Sequence, residues 1–227
     1  RVEKFWRLED HANLFSAAKA PSANDAEVLY EIENSVQKVG DRYQVRVPWK
    51  NNTDAVPNNR HQAEVRLFSK VEKFTNNPRE YEEYSNAILS YVRDGYAEIV
   101  PEWEINQSDK KVFYVTHHSV FHPRKNKRRV VFNAAATYKG TSLNNMIKKC
   151  PDLLESIVGI LIRFRCGKIA VASDISAFFH AVQMHPDDRD RHRFLWFQDA
   201  TMQRAITYRM TSFMFGGIES QACAIAA

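Results

Sequence analysis

Cysteine is scarce in the 227-residue chain: Cys150, Cys166 and Cys223 are widely spaced and form no CxxC pair. That excludes a disulfide framework and indicates a reducing compartment. No apolar run approaches the roughly 20 residues of a membrane-spanning helix. Residues 1–20 lack the apolar stretch of a secretory leader. There is no internal repeat and no low-complexity tract. An aspartic-protease Asp-[Ser/Thr]-Gly, a serine elbow and a Walker loop are all missing, which removes those hydrolase classes. The chain opens on Arg1 and stops at Ala227 within an apolar run, so it reads as a piece of a longer polypeptide.

What is present describes an ordinary globular chain. Hydrophobic residues make up 44% and charged residues 26%, and 14 Phe, 9 Tyr and 4 Trp argue against disorder. A chain of this length buries roughly 70% of its unfolded surface without help from metal or disulfides. The net charge of +5 leans toward anionic partners, nucleic acid first.

Periodicity sketches a mixed α+β pattern. Val28, Leu29, Ile32, Val36 and Val39 share helical spacing over residues 25–39, before a Gly40-Asp41 turn. Tyr43, Val45 and Val47 alternate as a strand that ends at Pro48-Trp49, and an Asn-rich loop follows over 50–60. Leu67, Phe68, Val71 and Phe74 mark a helix over 63–75. Asn77-Pro78 starts another, carrying Tyr81, Tyr84, Ile88 and Tyr91 inward and stopping at Gly95. Strand-like runs occupy 111–121 and 128–134. Pro151 opens a helix with the stripe Leu154, Ile157, Val158, Leu161 and Phe164, capped by Gly167. A short buried strand is expected over 169–173, leading into Asp174, and a hairpin over 193–198 and 205–210.

Three constellations could carry chemistry. The first is Asp174, placed where an apolar strand ends and aromatics begin. A carboxylate fixed there can hold a metal in a partly dry site, although a helix cap or a solvated turn uses the same residue. The second is the basic run Arg124, Lys125, Lys127, Arg128 and Arg129, which leads into Val130-Val131 at a turn between strands. Cations on such a turn can reach phosphates, although a charge run is commonly just a solvated face. The third, His117, His118 and His122, invites a zinc reading. That reading is the weaker one, since no CxxC follows and the run alternates like a strand.

Asp174 followed by Phe179, His180 and Val182 resembles the first carboxylate motif of reverse transcriptases of the gypsy and BEL/Pao groups. The resemblance extends along the chain in order. It includes Phe5-Trp6 with Glu9, residues 41–50, and Val115 to Val120. It continues through Arg129 to Ala134, Gly140 to Asn145 and Pro151 to Leu154, then Arg193 to Trp196, Tyr208 to Met210 and Phe215-Gly216. It implies a partial right-hand polymerase: a mainly helical connector over 1–105, fingers at about 106–149 and 183–218, and palm at about 150–182 and from 219. The implied activity is RNA-directed DNA polymerisation with two Mg²⁺ ions. Asp174 would be catalytic, Asp174 and Ile175 would take the metal positions, Arg129 with Lys125 or Lys127 would grip the dNTP, and Phe179 would gate its sugar. Template–primer, dNTP and the protease, RNase H and integrase regions of a polyprotein are the implied partners, in a cytoplasmic virus-like particle and away from membranes. Some positions depart from the pattern: Asn133 replaces Asp, Ala135 replaces Ser, Cys150 replaces Gly, and Gln221 replaces Pro. The family's Tyr-x-Asp-Asp does not occur, so this chain is expected to be inactive alone. The competing expectation is a non-catalytic nucleic-acid-binding remnant.

Overall fold

A computed structural model describes residues 22–51, 56–107, 111–123 and 126–227. The Phe5-Trp6 segment, Arg124 and Lys125 lie outside the described residues. Helix α1 (Ala23–Ser35) begins with a reciprocal cap: Ser22 Oγ accepts from the Asp25 amide at 3.1 Å, and Asp25 Oδ2 accepts from the Ser22 amide at 3.2 Å. It buries Val28 and Ile32, one turn apart. The helix expected to run to Val39 stops at Ser35. Val36 turns extended, and the next residues form β1 (Gln37–Val39), paired with β2 (Arg42–Val45) across the turn at Gly40, whose φ is +61°. Pairing with a neighbouring strand outweighs helical spacing for these β-branched residues.

The helix expected over 63–75 is two helices, α2 (Arg60–Phe68) and α3 (Val71–Asn76), parted at Ser69-Lys70. Helix α4 (Pro78–Arg93) starts as its sequence predicts: Asn77 Oδ1 accepts from the Glu80 amide at 3.2 Å, with Pro78 at the first helical position. It packs Tyr84 and Ile88 inward. The chain continues through β3 (Ala97–Ile99), α5 (Glu102–Ile105), β4 (Thr116–His122), β5 (Lys127–Asn133) and α6 (Leu143–Met146). Then come α7 (Ile157–Phe164), α8 (Phe178–Ala181), β6 (Gln183–Met184), a 3₁₀ segment (Pro186–His192), β7 (Arg193–Phe197), β8 (Ala205–Met210) and α9 (Ser220–Ala226).

The fold is mixed α+β with small sheets. One sheet has the order β1-β2-β6, with β2 and β6 parallel; a second is antiparallel, β3-β8-β7; the third is the hairpin β4-β5. The first two sheets join strands from before residue 105 to strands after it. Residues 112–115 are buried without a ladder. Their main chain is held by backbone bonds to Asp190 and Arg193: the Phe113 amide donates to Asp190 O at 3.2 Å, the Arg193 amide to Phe113 O at 3.1 Å, and the Val115 amide to Arg193 O at 2.6 Å. It is held also by the Asn59 amide, which bonds Tyr114 O at 2.8 Å and the Tyr114 amide at 2.6 Å.

The core is an aromatic cluster. Trp196 is fully buried, with its ring 4.5 Å from Tyr84 and stacked at 6.0 Å on Tyr81; Phe74 meets it edge-on, and Phe194 stacks on Tyr208 at 5.3 Å. Such pairs contribute about 0.5–1.5 kcal/mol each beyond the area they bury. Beside them, the fully buried Arg193 bonds Asp190, Ile105 O and Glu104 O, while Arg209 pairs with Glu98, Glu104 and Asp190.

One region departs from expectation. Helix α7 begins at Ile157 rather than Pro151, and none of its residues is buried. The buried strand expected over 169–173 does not form; Ile169 is 85% and Val171 82% exposed. A strand is buried only as part of a sheet, and among the described residues none pairs with this stretch. No described helix is long and apolar enough to cross a membrane.

Candidate functional site

The β4–β5 hairpin sorts its side chains by strand alternation. On β5, Arg128, Val130 and Phe132 face the protein, whereas Lys127 and Arg129 are exposed. Arg128 is neutralised by α4: its Nη1 lies 3.1 Å from Glu80 Oε1 and its Nε 3.3 Å from Glu83 Oε2. Lys127 and Arg129 have no ion-pair partner among the described residues. Lys127 shares a face with Arg129, and Lys125 lies outside the described residues. Register places His122 opposite Lys127 and Val120 opposite Arg129, so His118 and His122 belong to the same outward face. Period-2 alternation alone puts these two histidines beside the cations, a placement the zinc reading does not use.

His117 points the other way. It is buried, with Nδ1 bonded to the Tyr84 hydroxyl and Nε2 2.9 Å from Leu195 O. Burial, reinforced by Lys70, pushes its imidazole down to about 3, so it is neutral. With both nitrogens engaged on the inner face, it cannot converge with His118 and His122 on one ion.

Asp174 and Ile175 are exposed in irregular chain, and Asp174 makes no hydrogen bond or ion pair among the described residues. The turn into α8 passes through Ala177 at φ +52°, a left-handed conformation that costs a non-glycine residue about 1 kcal/mol. Phe179 is half-buried, its ring 5.5 Å from Phe178 and 6.0 Å from Phe215. His180 is anchored on Phe213 O at 2.7 Å and stacks on Tyr96 at 4.8 Å. Phe179 connects to the hairpin through Phe215-Gly216, because Gly216 lies directly against Phe132 O of β5. Asn144 holds the same loop, bonding Gly216 O and the Ile218 amide, each at 3.3 Å. No hydrogen bond or ion pair among the described residues joins Asp174 to Lys127 or Arg129.

The implied Mg²⁺ pair can be tested against these donors. Asp174 offers one carboxylate, and Ile175, with its apolar side chain, only a main-chain carbonyl. Among the described residues no three His, Cys, Asp or Glu side chains are gathered in a metal-holding group. Octahedral magnesium ions bridged between substrate oxygens need more carboxylate than this. These residues do not fit a two-ion site by themselves. No family model matches the chain, and no curated protein matches its sequence.

Proposed function

We propose that the chain is the front part of an RNA-directed DNA polymerase of the BEL/Pao retrotransposon type, and that its own contribution is to grip polyphosphate and template–primer. In this reading Arg129 and Lys127 hold the triphosphate, Phe179 sits beside the sugar, and Asp174 belongs to the palm. The observation that carries it is the hairpin's cation pattern. Three consecutive basic residues are treated differently: the middle one is neutralised by two glutamates, and the flanking two have no ion-pair partner among the described residues. They lie two strand positions apart, about 7 Å, on a backbone braced by seven paired positions. Unpaired cations on a rigid ladder lose little freedom on meeting phosphate.

The exposed apolar stretch from Leu154 to Ile175 agrees with this reading, since apolar surface of that extent marks a face covered by another element. The remaining palm strands would be that element. A second reading, a non-catalytic nucleic-acid-binding remnant, is favoured by the single-carboxylate donor set.

The test is binding of labelled primer–template and dNTP by the chain and by its Lys127→Gln/Arg129→Gln variant, followed by extension in Mg²⁺. Loss of binding in the variant supports both readings. The chain alone is expected not to extend under either reading; extension once it is fused to a palm segment carrying Tyr-x-Asp-Asp selects the polymerase, and binding without extension in that fusion selects the remnant. Binding that survives the double substitution overturns both.

A further inference from the structure

A small cavity of about 20 Å³ lies between α2, the Ser69-Lys70 link and the start of β4. That is room for one water-sized guest. Its polar lining is Arg66, Lys70, Thr116 and His117, and no carboxylate among the described residues contributes to it. Neither Arg66 nor Lys70 has an ion-pair partner among the described residues. The neighbouring acids are engaged elsewhere: Glu64 pairs with Arg60, and Glu80 with Lys73 and Arg128.

Each wall has been turned to present a donor. The break between α2 and α3 directs Lys70 Nζ onto His117 O at 2.7 Å and within 5.8 Å of the Tyr84 ring. Arg66 Nη1 reaches Thr116 Oγ1 at 3.3 Å, which leaves most of its guanidinium protons unused. Among the described residues, the charged and titratable groups around Lys70 are Arg66 on α2, Lys73 on α3, Tyr84 on α4 and the neutral His117 on β4. None of them supplies a negative charge at neutral pH. Burial, with help from Lys73, lowers the Lys70 ammonium to about 8.

We propose that this cavity is an oxyanion site, seating one non-bridging oxygen of a phosphate group between Lys70 Nζ, the Arg66 guanidinium and the Thr116 hydroxyl. Two cations facing a carboxylate-free cavity carry charge that a bound anion offsets, and a guanidinium beside an ammonium suits phosphate by fork geometry plus point charge. The phosphate can be inorganic or belong to a polynucleotide backbone. The site is independent of the polymerase reading: Thr116 opens β4, at the opposite end of the hairpin from Lys127, about 20 Å along the strand.

The test is trace acylation of the full chain with acetic anhydride across pH 6–10, with Lys70 read by mass spectrometry. It is run in chloride, in inorganic phosphate at matched ionic strength, and with a single-stranded oligonucleotide. An anion in contact raises an ammonium's pKa by about one unit or more, so acylation of Lys70 at pH 8 is expected to fall several-fold in the phosphate arm. The same fall with oligonucleotide names the backbone as a source. Protection by inorganic phosphate alone names the free anion. Arg66→Gln, an exposed substitution checked for an unchanged thermal melt, is expected to remove the protection. Equal Lys70 reactivity in all three arms overturns the site, as does protection that persists in Arg66→Gln.

Discussion

Arg128 and Glu80 meet at 3.1 Å on the inner side of the hairpin, where Glu83 adds a second contact at 3.3 Å, and this pairing sets Arg128 apart as a structural cation from Lys127 and Arg129, which have no ion-pair partner among the described residues. Arg128→Gln is expected to lower stability by about 2 kcal/mol, because the buried Glu80 loses a charge-assisted partner. Lys127→Gln and Arg129→Gln should stay within about 0.5 kcal/mol of the unsubstituted chain. Urea denaturation checks both. On single-stranded nucleic acid, each of the latter two should flatten the salt dependence of log K by about 0.7 per lost phosphate contact. A slope unchanged in Arg129→Gln would mean that Arg129 does not touch phosphate.

The parts of this arrangement that were legible in the sequence are those set by local chemistry. The α4 cap at Asn77-Pro78 and the β7–β8 hairpin lie where turn residues and alternation put them. Non-local pairing was not legible. Val36 and Val39 have helical spacing, yet they leave the helix because a strand partner waits across Gly40. The apolar 169–173 stretch reads as buried but finds no partner strand among the described residues. The same divide runs through the site. Lys127 and Arg129 share a face by period-2 alternation alone. The neutralisation of Arg128, and the cavity at Arg66 and Lys70, depend on where α4 and the α2–α3 break come to rest.

Acid should destabilise the protein through His117. Its imidazole is held near 3 when folded and rises to the ordinary 6.5 when unfolded. Between those values the unfolded chain binds the extra proton, so stability falls as pH drops below about 6.5. The contribution is about 2 kcal/mol between pH 7 and pH 5. Most carboxylates remain ionised in that window, which isolates the histidines. His180, also lowered by burial, adds in the same direction. His117→Gln is expected to be less stable at pH 7 but to lose less of its stability by pH 5. A variant as acid-sensitive as the parent would refute the assignment.

Arg193 binds three partners at once: Asp190 Oδ1 at 2.7 Å, and Ile105 O and Glu104 O, each at 3.1 Å. Arg193→Leu leaves those two carbonyls without their donor and removes the buried contact to Asp190, which costs about 3–5 kcal/mol. Arg193→Lys should recover only part of this, because a single ammonium cannot reproduce the planar fork. Denaturant midpoints of the two variants give the comparison. Full recovery in Arg193→Lys would mean that the network is held by charge alone, and losses equal to those of Arg193→Leu would mean that charge without the planar fork contributes nothing.

Gly216 separates backbone strain from steric collision. Its φ is +113°, and a Cβ there would lie 2.7 Å from Phe132 O, which is main chain and cannot swing away. Gly140, at φ +80°, has open space around it. Gly140→Ala therefore suffers only the conformational penalty, about 1 kcal/mol. Gly216→Ala must also push its loop off β5, against the two Asn144 hydrogen bonds that hold Gly216 and Ile218. A total loss of about 3 kcal/mol is expected. Displacing this loop also moves Phe215 from its place 6.0 Å from Phe179, so a Trp at position 215 would report the change by fluorescence. If both alanine variants lose the same stability, the contact between Gly216 and Phe132 does not hold in solution, and the link from Phe179 to the cation-bearing strand goes with it.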